Sequence, residues 1–80
     1  MAASRRKLSF KERRELEEIP AQIDALECEQ TILQTAMSAP DYHRKGVERL
    51  RLDKDRLEQI DAALMTLLER WEALQAIEPG

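Results

Sequence analysis

Eighty residues make one domain at most, with too little chain for a large enclosed core. Charged residues are 36% and apolar residues 42%, with few glycines, prolines or aromatics, which excludes a disordered chain and points to long helices or a coiled coil. The net charge of −3 excludes a globally basic nucleic-acid binder, so any such role rests on where the charge lies.

That distribution is uneven. Residues 1–14 hold Arg5, Arg6, Lys7, Lys11, Arg13 and Arg14 against Glu12 alone. Residues 15–41 hold seven acids and no Lys or Arg. Arg44, Lys45, Arg49, Arg51, Lys54 and Arg56 then outnumber Glu48, Asp53 and Asp55, and from Leu57 onward the chain is acidic apart from Arg70.

Residues 1–8 read as a basic, flexible lead-in. Ser9-Phe10-Lys11-Glu12 has the form of a capping box, in which the Ser9 hydroxyl accepts from the Glu12 amide and the Glu12 carboxylate accepts from the Ser9 amide. The first helix is therefore predicted to start at Phe10. Its apolar seam runs Leu16, Ile19, Ile23, Leu26, Gln30, Leu33, Met37, in steps of three and four. Pro20 falls inside it, removes a backbone donor and clashes with the Leu16 carbonyl, so a kink or a break is expected there.

Ser38-Ala39-Pro40-Asp41 is a stop, since Pro40 disfavours helix at Ala39. Ser38 with Asp41 is expected to cap a short helical turn through His43, and Gly46 supplies the permissive backbone that enters the second helix. A second seam follows: Leu50, Asp53, Leu57, Ile60, Leu64, Leu67, Trp71, Leu74. A short connection makes the helices antiparallel neighbours. The predicted fold is all-α, a two-helix antiparallel coiled-coil hairpin over residues 9–78, with 79–80 as a tail.

Antiparallel pairing sets Leu16 against Leu67, Ile19 against Leu64, Ile23 against Ile60, Leu26 against Leu57 and Leu33 against Leu50. The same register opposes Gln30 to Asp53, a polar layer of the kind that fixes register at a cost in stability. It also opposes Glu12 to Trp71, so Phe10 or Leu16 is expected to cover the indole.

No catalytic constellation emerges. His43 lies in a polar loop with no second histidine or cysteine nearby, and Cys28 sits between Glu27 and Glu29, which disfavour its thiolate. There is no glycine-rich phosphate loop. The chain is not expected to be an enzyme or to hold a metal or cofactor. A single cysteine, no apolar leader and no membrane-length apolar run fit a reduced, cytoplasmic setting. The basic clusters remain: either they solubilise the helices and pair with neighbouring acids, or they contact phosphates in a salt-sensitive, sequence-blind way. Tyr42 is the one exposed aromatic available at the tip for stacking on a base.

The segment Lys7-Leu8-Ser9-Phe10-Lys11-Glu12-Arg13-Arg14-Glu15-Leu16-Glu17-Glu18-Ile19-Pro20 resembles the start of the C-terminal domain of ABC-F ATPases of the Uup type, with Ile19 in place of the usual leucine. The likeness continues through Ile23–Glu27, Ala39–Tyr42 and Glu69–Leu74, with Ala39 in place of a frequent aspartate. The resemblance implies a coiled-coil hairpin at the end of a protein with two ATP-binding cassettes, where ATP belongs to the cassettes and the tail binds DNA. It assigns nucleic-acid contact to Arg5, Arg6, Lys7, Lys11, Arg13 and Arg14, and to the tip residues Arg44, Lys45, Arg49, Arg51 and Lys54. DNA or RNA is the expected ligand of a monomeric domain. The rival reading is a protein-interaction or spacer module that docks on its cassettes or on the ribosome through Ile32, Leu52, Leu68 and Ile77. Self-association through the same four residues is a third.

Overall fold

The computed structural model describes residues 7–77. Two helices, α1 (Phe10–Met37) and α2 (Val47–Ile77), are joined by a short 3-10 turn at Tyr42–Lys45. They form a rod 58 Å long and less than 20 Å across. Glu15 pairs with Arg70 and Glu29 with Arg56, so an advance along α1 matches a retreat along α2. The helices are antiparallel, as the sequence predicts.

The capping box forms as predicted. The Glu12 amide donates to Ser9 Oγ at 3.1 Å and the Ser9 amide to Glu12 Oε1 at 3.0 Å, which satisfies two of the N–H groups a helix start leaves without partners. At Pro20 the helix does not break. It continues as one element from Phe10 to Met37 because the seam keeps phase on both sides: Ile19 is buried and Ile23 packs on the same cluster. Pro20 itself faces solvent.

The core is a stripe. Leu8, Ile19 and Leu74 are buried together, with Leu16, Ile23, Leu67, Trp71 and Ile77 packed against them, and Ile60 is fully buried further along α2. Burying each such aliphatic side chain stabilises by about 1.5–3 kcal/mol before entropy is counted. Of the two residues expected to cover the Trp71 indole, Leu16 joins the cluster, whereas Phe10 is 81% exposed. Leu8, which lies just before the helix, closes the base of the hairpin instead. Ile77, expected on an outer docking face, belongs to this core.

The connection differs from expectation in one detail. Ser38 does not cap the 3-10 turn. It caps the end of α1, its hydroxyl donating to the Gln34 carbonyl at 2.9 Å. Asp41 precedes the turn without a side-chain capping bond. The Tyr42 amide donates to the Ala39 carbonyl at 3.0 Å, which starts the turn. Gly46 then takes φ 98° and ψ 155°, a region open essentially to glycine alone, and the chain enters α2.

Candidate nucleic-acid interface

The polar seam layer predicted between Gln30 and Asp53 is not formed. Gln30 Nε2 donates to Asp61 Oδ1 at 2.8 Å, because both side chains lean toward the N-termini of their own helices and meet between them. Asp53, 6% exposed, is claimed by the connection: Tyr42 folds over the end of α2 and its hydroxyl donates to Asp53 Oδ2 at 2.7 Å. Arg49, one turn earlier, lies 3.3 Å from Asp53 Oδ1. Tyr42 is therefore buried and not available for stacking, contrary to the sequence reading. Burial, and then donation to the Asp53 carboxylate, pushes its phenol pKa above the ordinary 10.0.

Around this buried pair lie the tip cations. Arg44 and Lys45 stand on the 3-10 turn, and Arg49, Arg51 and Lys54 on the first turns of α2; all are exposed. The Lys45 ammonium sits 5.9 Å from the centroid of the Tyr42 ring, within cation–π range. Arg44, Arg51 and Lys54 have no ion-pair partner among the described residues. At the other end of the rod Lys7 precedes α1, and Lys11, Arg13 and Arg14 occupy its first turns, all exposed. Arg14 is 3.3 Å from Glu18. Arg5 and Arg6 lie outside the described residues. The structure thus places the two clusters at opposite ends, roughly 40 Å apart by the length of a helix of this size.

Between the ends the rod is acidic, and its two arginines are each paired with a carboxylate across the hairpin. Arg56 grips Glu29 through Nε at 2.6 Å and Nη2 at 2.7 Å, and Arg70 grips Glu15 through Nε at 2.6 Å and Nη2 at 3.0 Å. These forked bonds hold both carboxyls below the usual carboxylate range, the hydrogen bond being the main cause in each case. All four residues immediately precede seam positions, Leu16, Gln30, Leu57 and Trp71. That is the flanking site from which coiled-coil helices exchange salt bridges. The heptad register carries this signal, since each of the four stands one residue before a seam position.

The clusters share a second property. Lys11, Arg13 and Arg14 lie on the opening turns of α1 and Arg49, Arg51 and Lys54 on those of α2, beside one acid in each first turn, Glu12 and Glu48, and neither helix carries a basic residue in its last turn. Cations near a helix start are unfavourable to its dipole, an effect that Glu12 and Glu48 offset in part.

Other candidate chemistry is sparse. Among the described residues no group of His, Cys, Asp and Glu is arranged to hold a metal ion, and no helix is long and apolar enough to cross a membrane. Cys28 is free and exposed, and His43 is exposed on the 3-10 turn.

The model of the ABC transporter C-terminal domain family matches residues 7–76, nearly the whole of the hairpin. The chain belongs to this family. Among curated relatives, an ATP-binding protein Uup of Haemophilus influenzae is 35% identical over 69 residues, which is 86% of this chain and 11% of that protein. A Uup-like ATP-binding protein of the same organism is likewise 35% identical over 69 residues, covering 15% of its length. No solved structure matches the chain. The Uup-type likeness read along nearly the whole sequence is borne out, and this ABC transporter C-terminal domain spans a small fraction of the relatives it matches.

Proposed function

We propose that the hairpin is an accessory domain of a cytoplasmic Uup-type ATPase and that it binds nucleic acid, DNA first among the candidates, through backbone phosphates at its basic ends. One observation carries the reading: among the described residues, cations without acidic partners stand only at the two ends of the rod, while mid-rod arginines are neutralised by forked carboxylate bonds. The tip supplies Arg44, Lys45, Arg51 and Lys54, with Arg49 shared with Asp53. The base supplies Lys7 and Lys11, with Arg13 and Arg14 beside them. Such contacts position a duplex without reading its sequence. ATP would be handled by cassettes that this sequence does not contain.

The test is a gel-shift titration at low salt against duplex DNA, single-stranded DNA and structured RNA. Changing Arg44, Lys45, Arg49 and Arg51 to Glu should weaken binding to the preferred ligand by at least tenfold, since each lost phosphate contact removes a counterion-release step. Equal affinity of the two proteins would remove the tip from the interface.

A second reading has its own observation. Ile32, Leu52, Met65 and Leu68 are exposed, and Leu64, Met65 and Leu68 line a shallow groove edged by Asp61, Glu69 and Glu72. An acidic rim around apolar side chains suits a protein partner, such as the ATPase cassettes or the ribosome. Met65→Asp with Leu68→Asp should abolish such docking and leave DNA affinity unchanged.

A further inference from the structure

A basic loop on a two-helix tip is held in place by very little. The 3-10 turn of Tyr42–Lys45 is four residues long and is tied to its surroundings by a few backbone bonds. Gly46, next in the chain, lies in a region that only glycine enters readily and has open space where a Cβ would be. Left alone, such a turn would let Arg44 and Lys45 sample many directions relative to Arg51 and Lys54. One side-chain hydrogen bond ties it to α2. Tyr42 inserts its ring at 6% exposure and donates its hydroxyl to Asp53 at 2.7 Å, across eleven positions of sequence.

Asp53 occupies a seam position, where the hairpin would ordinarily place an aliphatic residue. A buried carboxylate there weakens the seam unless its oxygens are matched. Both are matched: Oδ2 takes the Tyr42 hydroxyl, and Oδ1 faces Arg49. Lys45 lies against the outer face of the same ring. The pair therefore links every basic element of the tip, with the turn on one side, the first turns of α2 on the other, and the ring beneath Lys45.

We propose that Tyr42 and Asp53 are positioning residues that lock the 3-10 turn onto α2, so that Arg44 and Lys45 join Arg51 and Lys54 in one preformed phosphate-binding surface. This deepens the nucleic-acid reading above and rests on it for its ligand. Its logic is preorganisation: flexible cations lose conformational entropy on contacting phosphates, whereas cations held in place lose less. Neither Tyr42 nor Asp53 touches the ligand.

The test uses the whole chain with three variants. Tyr42→Phe keeps the ring and removes the donor. Asp53→Leu removes the acceptor and restores an aliphatic seam. Asp53→Asn keeps an acceptor for the Tyr42 hydroxyl without the charge. Circular dichroism first establishes that each is folded. Duplex DNA affinity is then measured across a salt series, and amide hydrogen exchange is measured at residues 43–46 in the free protein. The lock predicts that Tyr42→Phe and Asp53→Leu bind roughly threefold to tenfold more weakly at low salt, with the salt slope reduced by about one contact. It predicts faster exchange at residues 43–46 in both, and near-normal behaviour in Asp53→Asn. A purely structural role predicts the contrary for Asp53→Leu, whose strengthened seam would leave binding intact. Wild-type affinity and slope in both Tyr42→Phe and Asp53→Leu, alongside weak binding by an Arg44→Gln, Lys45→Gln variant, would overturn the lock and leave the interface standing. Absence of salt-dependent binding in the unaltered chain would remove the interface itself. In that case exchange at residues 43–46 decides the lock alone, and unchanged exchange in Tyr42→Phe would overturn it.

Discussion

Truncating Leu8 and truncating Phe10 should have opposite consequences. Leu8 lies outside the helix yet is only 7% exposed and packs with Ile19 and Leu74, whereas Phe10 is the first residue of α1 and is 81% exposed. Leu8→Ala removes three carbons from the core, about 2–3 kcal/mol of transfer free energy. Buried Leu→Ala changes cost about 2–5 kcal/mol once the cavity is included, and a site at the open end of a rod can partly refill, which favours the lower half of that range. A chain of eighty residues has a total stability of about 4–12 kcal/mol, so the loss is a large share of it. The melting temperature should fall by about 8–28 °C, from about 4–8 °C per kcal/mol at this size. Phe10→Ala changes stability by less than about 0.5 kcal/mol, as surface substitutions do. Thermal and urea unfolding followed by far-ultraviolet circular dichroism measures both. Equal costs, or a larger cost for Phe10, would refute the assignment of Leu8 as the residue that closes the base.

Three further outcomes follow from the geometry. Gly46→Ala should lower stability by about 1–3 kcal/mol through backbone strain alone, because nothing lies within 4 Å of the added Cβ; urea unfolding reads it. The Glu15 and Glu29 carboxyls titrate below their ordinary 4.5 in the folded chain, so the stability they contribute is present above about pH 4.5 and is lost as pH falls through the folded-state values. A Glu15→Gln, Glu29→Gln variant should show a flatter urea midpoint between pH 5 and pH 2 than the unaltered chain. The chain has a single tyrosine, so phenolate absorbance reports Tyr42 directly. Its midpoint should lie above 10.0 while the protein is folded and return toward that value in urea, and a folded-state midpoint at or below 10.0 would contradict its burial against Asp53.

The hairpin was legible because its information is periodic. Two seams in three-four steps, a capping box and a glycine after a proline stop each name a local structure, and they agree with one another. The failures fall where a residue acts outside that period. Leu8 precedes the helix and has no seam position, so nothing in the repeat marks it as core. Asp53 sits in the seam, where pairing by position sets it against Gln30. The competing partner, Tyr42, comes from a turn whose path over the helix end depends on three-dimensional closure. Gln30 found Asp61 because side chains lean along their helices, which a one-to-one pairing of positions ignores. The basic clusters themselves were visible as composition. What the fold adds is sorting: Arg56 and Arg70 are neutralised across the hairpin, Arg49 is partly claimed by Asp53, and Arg44, Arg51 and Lys54 remain without acidic partners among the described residues.

The central claim is that the tip cations meet phosphates, and the dependence of duplex affinity on salt tests it most directly. Four contacts from Arg44, Lys45, Arg51 and Lys54 predict that the logarithm of the association constant falls with the logarithm of salt concentration with a slope near −3 to −4, at about 0.9 per phosphate. Base contacts from Lys7 and Lys11 on the same duplex would steepen it. A slope indistinguishable from zero, or one unchanged when those four residues are replaced by glutamine, would contradict the account.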